Sequence, residues 1–343
     1  MKLGIIGLPG SGKATVFEAL TGNFSDRGPQ GDARIGTVTV PDERLQVLSG
    51  IFKPKKTICA RVEYHLPLRS VQKEPKGEQG LWAAVRDTDA LIHVVRNFGG
   101  YDQAGPSPVD DFHKLNQEII LTDLFVVEKR LERLKVDQQR GKKIDPAERG
   151  LLESCQENLE NENPLRRRPE LATAPRLRGF GFVSAKPMLI LFNNEDEDDR
   201  LPNGVGRDLQ ESCAVIRGKL EHELAQMSTE EAGAFLAEFN IAASARDRII
   251  QQSYSLVGLI SFFTFNQDEV KAWTAKRETA AVDAAELIHS DMKRGFIRAE
   301  VVAYDDLVSA GSYQEARKQG TVRLEGRSYP VQDGDIVTFR FNV

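Results

Sequence analysis

The chain has 343 residues, 40% of them hydrophobic and 28% charged, with a formal net charge of −5. That length accommodates two or three domains with a sizeable core, the composition is that of a globular protein, and the acidic balance excludes a chain that coats nucleic acid unselectively while leaving room for a local basic patch. Cys59, Cys155 and Cys213 are too few and too scattered for a disulfide framework or a zinc site, which fits a reducing cytoplasm, and no apolar run is long enough to span a membrane.

Residues 3–6 read as a short apolar strand and residues 15–20 as a helix. Between them stands Gly7-Leu8-Pro9-Gly10-Ser11-Gly12-Lys13-Ala14-Thr15. This run is short and broken by glycine, so it is read as strand and loop rather than as a signal peptide. Strand, glycine-rich loop and helix, with Gly, four residues and then Gly-Lys, is the phosphate-binding pattern up to its last position. The glycines let the backbone curl so that several N–H groups meet one phosphate, and the helix N-terminus adds partial positive charge. Lys13 would reach the β- and γ-phosphates. The residue after the lysine should be Ser or Thr, whose hydroxyl binds Mg²⁺, and here it is Ala14. Thr15 has a hydroxyl but lies about 100° further round a helix, a position that suits the α-phosphate better than the metal.

Residues 22–34 are polar and glycine-rich and read as a loop, the place where a nucleotide switch supplies a second hydroxyl to Mg²⁺. Thr37 and Thr39 alternate with Val38 and Val40, as in a strand with outward threonines. A helix starts at residues 41–44, with Leu45 and Leu48 on one face. Residues 60–66 read as the next strand. A nucleotide-hydrolysing protein ends such a strand in Asp-x-x-Gly, whereas this one ends His65-Leu66-Pro67-Leu68, and His65 reads as structural rather than catalytic.

Residues 89–95 form a buried parallel-strand pattern, followed by a Gly/Pro-rich loop over 98–109. From 109 to 135, apolar residues at Ile120, Leu124, Val127, Leu131 and Leu134 make a coiled-coil-like stripe. Asp145-Pro146-Ala147-Glu148 restarts a helix, with Asp as cap and Pro in the first turn. Residues 115–163 are therefore expected to form an antiparallel helical hairpin inserted into the α/β domain. Arg166, Arg167, Arg168, Arg176 and Arg178 follow. They suit either RNA phosphates or a solvated loop near the acidic run 195–199.

Residues 187–192 give a further buried strand, ending in Asn193-Asn194-Glu195-Asp196. An Asn-x-x-Asp at a strand end resembles the base-reading motif of GTPases, with Asn194 in place of the lysine that covers the base. Residues 214–216 read as a last strand before Arg217 and Gly218. Helices follow to residue 252, with Ser228 as a cap. From about 258 the chain changes to short β-type segments at 259–265, 296–302, 323 onward and 336–341, a small separate α+β domain.

These residues resemble the YchF/Obg-like ATPase family. The resemblance rests on residues 3–15, on Val40-Pro41-Asp42-Glu43-Arg44-Leu45, and on Lys53-Pro54-Lys55-Lys56. Its C-terminal part is Glu269-Val270-Lys271-Ala272-Trp273-Thr274, Lys293-Arg294-Gly295-Phe296-Ile297-Arg298-Ala299-Glu300-Val301 and Asp333-Gly334-Asp335. It implies an α/β P-loop NTPase domain of Ras-like, Obg type with a helical-hairpin insertion, over residues 1–255, and a small ubiquitin-like TGS domain over 256–343. It further implies ATP and GTP binding, Mg²⁺-dependent hydrolysis, and association with ribosomes or RNA through the TGS domain and the hairpin. Carried across, Gly7, Gly10, Ser11, Gly12, Lys13, Ala14 and Thr15 would hold the phosphates. Asn193, Asn194 and Asp196 would surround the base, with Arg217 and Gly218 behind it. The departures cluster at catalysis. Gly-Lys-Ser-Thr has become Gly-Lys-Ala-Thr, the switch threonine stretch is shortened between Phe24 and Ile35, Asp-Ile-Ala-Gly is missing around residues 66–70, and the family's Asn-x-x-Glu is Asn-x-x-Asp. The expectation is a nucleotide-binding protein with weak or absent hydrolysis, and no side-chain metal ligand is assigned. A slow ATPase/GTPase switch and a nucleotide-independent adaptor are the alternatives.

Overall fold

The structure, a computed structural model, describes residues 2–24, 33–67, 77–100, 105–206, 212–239, 241 and 243–342. Most of the 25–34 switch position and of the 66–70 departure therefore lies outside the described residues. The strands are β1 (Lys2–Ile6), β2 (Arg34–Thr39), β3 (Lys56–Ile58), β4 (Arg61–Leu66), β5 (Ala90–Asn97), β6 (Met188–Asn194), β7 (Cys213–Ile216), β8 (Leu259–Phe265), β9 (Glu269–Lys276), β10 (Phe296–Val302), β11 (Arg323–Glu325) and β12 (Ile336–Phe341). They form two sheets, ordered β2-β4-β1-β5-β6-β7 and β11-β10-β12-β8-β9-β3.

In the first sheet β1 pairs parallel with β4 and β5, β5 with β6, and β6 with β7. Helix-covered parallel strands are buried on both faces, which is why β5 and β6 read as largely apolar runs. The strand order runs outward from β1 in both directions and reverses between β1 and β5. In such a sheet the crevice beyond the C-terminal strand ends, at the reversal, is where ligands bind.

The first helices in chain order are α1 (Lys13–Thr21), α2 (Glu43–Phe52), α3 (Gly77–Arg86), α4 (Pro108–Gln139) and α5 (Pro146–Glu160). The hairpin is α4 and α5, and α4 begins earlier than the expected residue 115. Its first turns carry Phe112, Leu115 and Ile119 into the core beneath the sheet. Its later turns carry Ile120, Val127 and Leu134 against Leu152, Cys155 and Leu159 of α5. One helix thus serves two cores, and the stripe read from sequence is only the second. Asp145 caps α5 by accepting from Ala147 N at 2.9 Å, with Pro146 in the first turn.

Of the arginines after α5, Arg166 is turned inward and Arg167, Arg168, Arg176 and Arg178 are exposed. Arg166 donates to Asn116 Oδ1 at 2.5 Å and is buried, which pushes its pKa down to about 10. Arg168 pairs with Glu170 at 2.5 Å and Arg176 with Asp145 at 2.9 Å. The carboxylate partners of Arg168 and Arg176 thus lie outside the acidic run 195–199.

The chain divides into two compact units, Met1–Thr37 with Glu63–Ile249, and Val38–Val62 with Ile250–Val343. This differs from a single boundary near residue 256. Residues 38–62 go with the second unit because β3 pairs parallel with β9 and Phe52 stacks on Phe265 at 4.0 Å. Arg44 adds a bond to Asp333 at 2.8 Å. Burial works to lower the Arg44 pKa, but its hydrogen bonds to Asp42 and Asp333 outweigh that and raise it. The core of the second unit centres on Phe262, Ala281, Ala285, Val301, Val331 and Val337.

Candidate functional site

The loop from Gly7 to Lys13 leaves β1 at its C-terminal end and turns directly into α1. Gly10 and Gly12 have φ of 78° and 79°, the left-handed region that favours glycine. Gly7 is held for a different reason: a Cβ there would stand 2.5 Å from Val94 O and 2.6 Å from Ser11 Oγ. Ser11 N donates to Leu8 O at 3.2 Å, closing the turn, and Ser11 itself is buried. Lys13 Nζ donates to Leu8 O at 3.2 Å, so the ammonium lies over its own loop. The first turn of α1 carries no acid, leaving the positive end of the helix unopposed. Backbone curl, lysine and bare helix end together fit a phosphate group. Ala14 is exposed and carries no donor, and Thr15 beside it is half-buried.

The base side is built from the ends of β6 and β7, and Asn193 joins it to the loop. Asn193 is buried; its Nδ2 donates to Ser11 O at 3.1 Å and its Oδ1 accepts from Gly218 N at 2.9 Å. Both glycines it touches are required by its presence. A Cβ on Gly12 would lie 2.3 Å from Asn193 Nδ2, and one on Gly218 2.5 Å from Asn193 Oδ1. Asn194 does not join this group. Its Nδ2 donates to Arg200 O at 2.8 Å and its Oδ1 accepts from Asn97 Nδ2 at 2.9 Å, both within the fold. Asp196 is half-buried, and its Oδ1 accepts from Leu220 N at 3.2 Å, in the first turn of the helix Gly218–Leu224. Arg217 donates to the backbone oxygen of Asp196 at 3.4 Å. So Gly7 to Thr15, Asn193, Asp196, Arg217 and Gly218 converge at one end of the sheet, and Asn194 turns inward.

Sequence reading missed Phe98. It follows β5 directly, and a Cβ on Gly12 would lie 3.6 Å from its ring. The signal was available: an aromatic at the C-terminal end of the strand beside the order reversal is placed for a ligand. His65 pairs with Glu63 on its own strand, in line with a structural role. Glu18 of α1 accepts from Arg34 at 2.8 Å and meets His222 Nε2 at 2.9 Å, tying α1 to β2 and to the helix behind the base loop.

The family model YchF-GTPase_C, described as a protein of unknown function (DUF933), matches residues 259–342. The ribosome-binding ATPase YchF of Bacillus subtilis (strain 168) is 38% identical over 99% of this chain and 99% of its own length. The chain belongs to the YchF family. The ribosome-binding ATPase YchF of Haemophilus ducreyi is 36% identical over 100% of this chain and 99% of its own. The solved structure of the Schizosaccharomyces pombe YchF GTPase superposes with a TM-score of 0.83 at 25% identity, covering 99% of this chain and 97% of that one. A GTP-binding protein from Pyrococcus horikoshii OT3 shares the fold, with a TM-score of 0.57 at 18% identity over 100% of each chain. The resemblance drawn from the motifs and the P-loop fold with a helical insertion and a further C-terminal domain both hold. No helix among the described residues is long and apolar enough to cross a membrane.

Proposed function

We propose that this YchF-family chain binds ATP or GTP on the loop Gly7 to Thr15, works in association with the ribosome, and turns nucleotide over at close to the background rate. The observation that carries the reading is the contrast within one loop. Its glycine geometry and Lys13 are those of a phosphate cradle, while Ala14 removes the hydroxyl that such a loop gives to Mg²⁺. The relatives named ribosome-binding ATPase support the partner and the nucleotide. We read the second unit as the TGS-type module of the family.

The chain's own residues then have definite roles. Backbone N–H groups of the loop and the N-terminus of α1 bind the phosphates, and Lys13 swings from Leu8 O onto them. Asn193 fixes the loop against Gly218, and Phe98 offers a face to the base. Mg²⁺, when bound, supplies charge neutralisation at the transferring phosphate. The donor set fits it poorly, since Ala14 has no ligand atom and the described residues hold no group of three His, Cys, Asp or Glu.

Titration calorimetry with ATP and GTP should give dissociation constants that are micromolar or weaker, with little gain from Mg²⁺. Base discrimination should stay below a hundredfold, roughly 2.7 kcal/mol. Asp196 already spends one oxygen on Leu220 N, so a bidentate grip on guanine is compromised. Failure of both nucleotides to bind would leave the adaptor role alone.

Single-turnover hydrolysis decides the rest. Wild type should stay near background, and Ala14→Ser alone should not restore turnover. Ready turnover by wild type that Lys13→Ala abolishes would show a working hydrolase and overturn this reading.

A further inference from the structure

We propose that Arg217 sets the base preference of the site, selecting purines with an oxo group at C6 over those with an amino group there. This rests on the nucleotide-binding reading above and names the class of base. Arg217 follows β7 and precedes Gly218, whose N–H donates to Asn193 Oδ1 at 2.9 Å. Asn193 in turn donates to Ser11 O of the phosphate loop at 3.1 Å. Arg217 therefore stands one residue from the clasp that joins the base side to the loop, on the base side of it. Its Nη1 donates to the backbone oxygen of Asp196 at 3.4 Å, which lays the guanidinium just beyond the C-terminal end of β6.

That one contact does not account for an arginine. It is long for a hydrogen bond, and it uses a single N–H of a fork that carries several. The neighbouring carboxylates are engaged elsewhere. Glu195 accepts from Gly99 N at 2.6 Å, and Asp198 pairs with Arg200 at 3.3 Å. Asp196 accepts from Leu220 N at 3.2 Å through Oδ1, and its Oδ2 faces Lys219 Nζ at 3.9 Å. Among the described residues, the half-buried guanidinium is thus left with N–H groups to offer at the place where a base edge would lie.

This inverts the polarity of base reading. A carboxylate at Asp196 would accept from N1 and N2 of guanine, but both its oxygens already face donors of the chain. What the site offers instead is a donor-only group. Guanine presents two acceptors side by side on one edge, O6 and N7, and a guanidinium meets them with two parallel N–H bonds. Adenine presents N7 beside its N6 amino group on that edge, so one of the two bonds becomes donor against donor. Hypoxanthine keeps the O6 and N7 of guanine and lacks its 2-amino group. A donor at Arg217 therefore treats GTP and ITP alike and disfavours ATP, whereas a carboxylate that read N1 and N2 would penalise ITP. Lysine could not replace the arginine, because a point charge lacks the fork.

The test is titration calorimetry of the full chain with GTP, ITP and ATP, repeated for Arg217→Ala and Arg217→Lys, with thermal unfolding as the control of the fold. Each readout is a ratio of affinities within one protein, so a general loss of phosphate grip cancels. Wild type should bind GTP and ITP alike and each about tenfold more tightly than ATP, the lower end of what a bidentate pair discriminates. Arg217→Ala should bring the GTP and ATP affinities together, and Arg217→Lys should fall in between. The proposal is overturned if wild type binds ATP as tightly as GTP, if ITP binds as weakly as ATP, or if Arg217→Ala keeps the wild-type ratio of GTP to ATP. Wild type that binds none of the three sinks the nucleotide reading itself, and this assignment with it.

Discussion

Replacing Gly12 with alanine is expected to destabilise the first unit by about 3 kcal/mol or more and to remove measurable nucleotide affinity. Two costs combine. Gly12 has φ of 79°, and a residue with a Cβ there carries about 1–2 kcal/mol of strain. The new Cβ would also stand 2.3 Å from Asn193 Nδ2, so the asparagine must leave. Its departure breaks the bonds to Ser11 O and Gly218 N, each of them worth about 1 kcal/mol and more when the abandoned group stays buried. The origin of the cost can be separated by a double-mutant cycle. In an Asn193→Ala background the clash is gone, and Gly12→Ala should then cost only the backbone strain. Urea unfolding of the four proteins measures the coupling. Strict additivity would mean that Asn193 does not bridge the loop and the base side.

The second large effect concerns acid. His93 is fully buried on β5 and stacked on Phe112, with ring centroids 5.7 Å apart, and its Nδ1 has no hydrogen-bond partner among the described residues. Burial first, and then the positive charge of Arg166, push its pKa from 6.5 down to about 3. The folded-state value is depressed, so the ring is neutral in both states above pH 6.5 and no stability is lost there. Between about 6.5 and 3 the unfolded chain takes up a proton that the folded chain refuses, and stability falls with pH by about 1.4 kcal/mol per unit. Burial raises the pKa of Asp123, in the same region, which acts in the opposite direction. That contribution is common to wild type and variant and cancels in the comparison. Wild type should therefore lose about 3 kcal/mol more than His93→Phe between pH 7 and pH 4, measured by urea unfolding at each pH. Parallel stability curves for the two proteins would show that the ring is not held neutral.

Much of this arrangement was legible in the sequence because local rules and the global fold agree there. The glycine loop, the largely apolar β5 and β6, the Asp145-Pro146 restart and the C-terminal strands each carry a pattern that a fold of this kind requires. Other features were hidden for identifiable reasons. β3 is three residues long with exposed lysine and threonine, so nothing in its pattern announces a strand. Its partner β9 alternates outward residues with buried Val270 and Ala272, which is a legible strand pattern. Asn194 looked like a ligand residue because it occupies a ligand position in a motif. Its inward turn depends on Asn97 and Arg200, which no local window places beside it. Arg166 looked like a surface cation within a basic run, and only the packing of α4 reveals it as an internal one.

The excursion of residues 38–62 into the second unit bears on how the chain is made. Synthesis runs from the N-terminus, and domains generally fold as they emerge. Here α2 lacks Phe265 and β3 lacks its partner β9 until three quarters of the chain has been made, and Arg44 of α2 lacks Asp333 until later still. Until then the stretch carrying the buried apolar residues Leu45 and Leu48 lacks these C-terminal partners. The first unit is threaded through that waiting stretch, since β2 precedes it and β4 follows it. Termination between residues 250 and 268 would leave every residue of the first unit made, with α2 and β3 in its middle lacking β9 and Asp333.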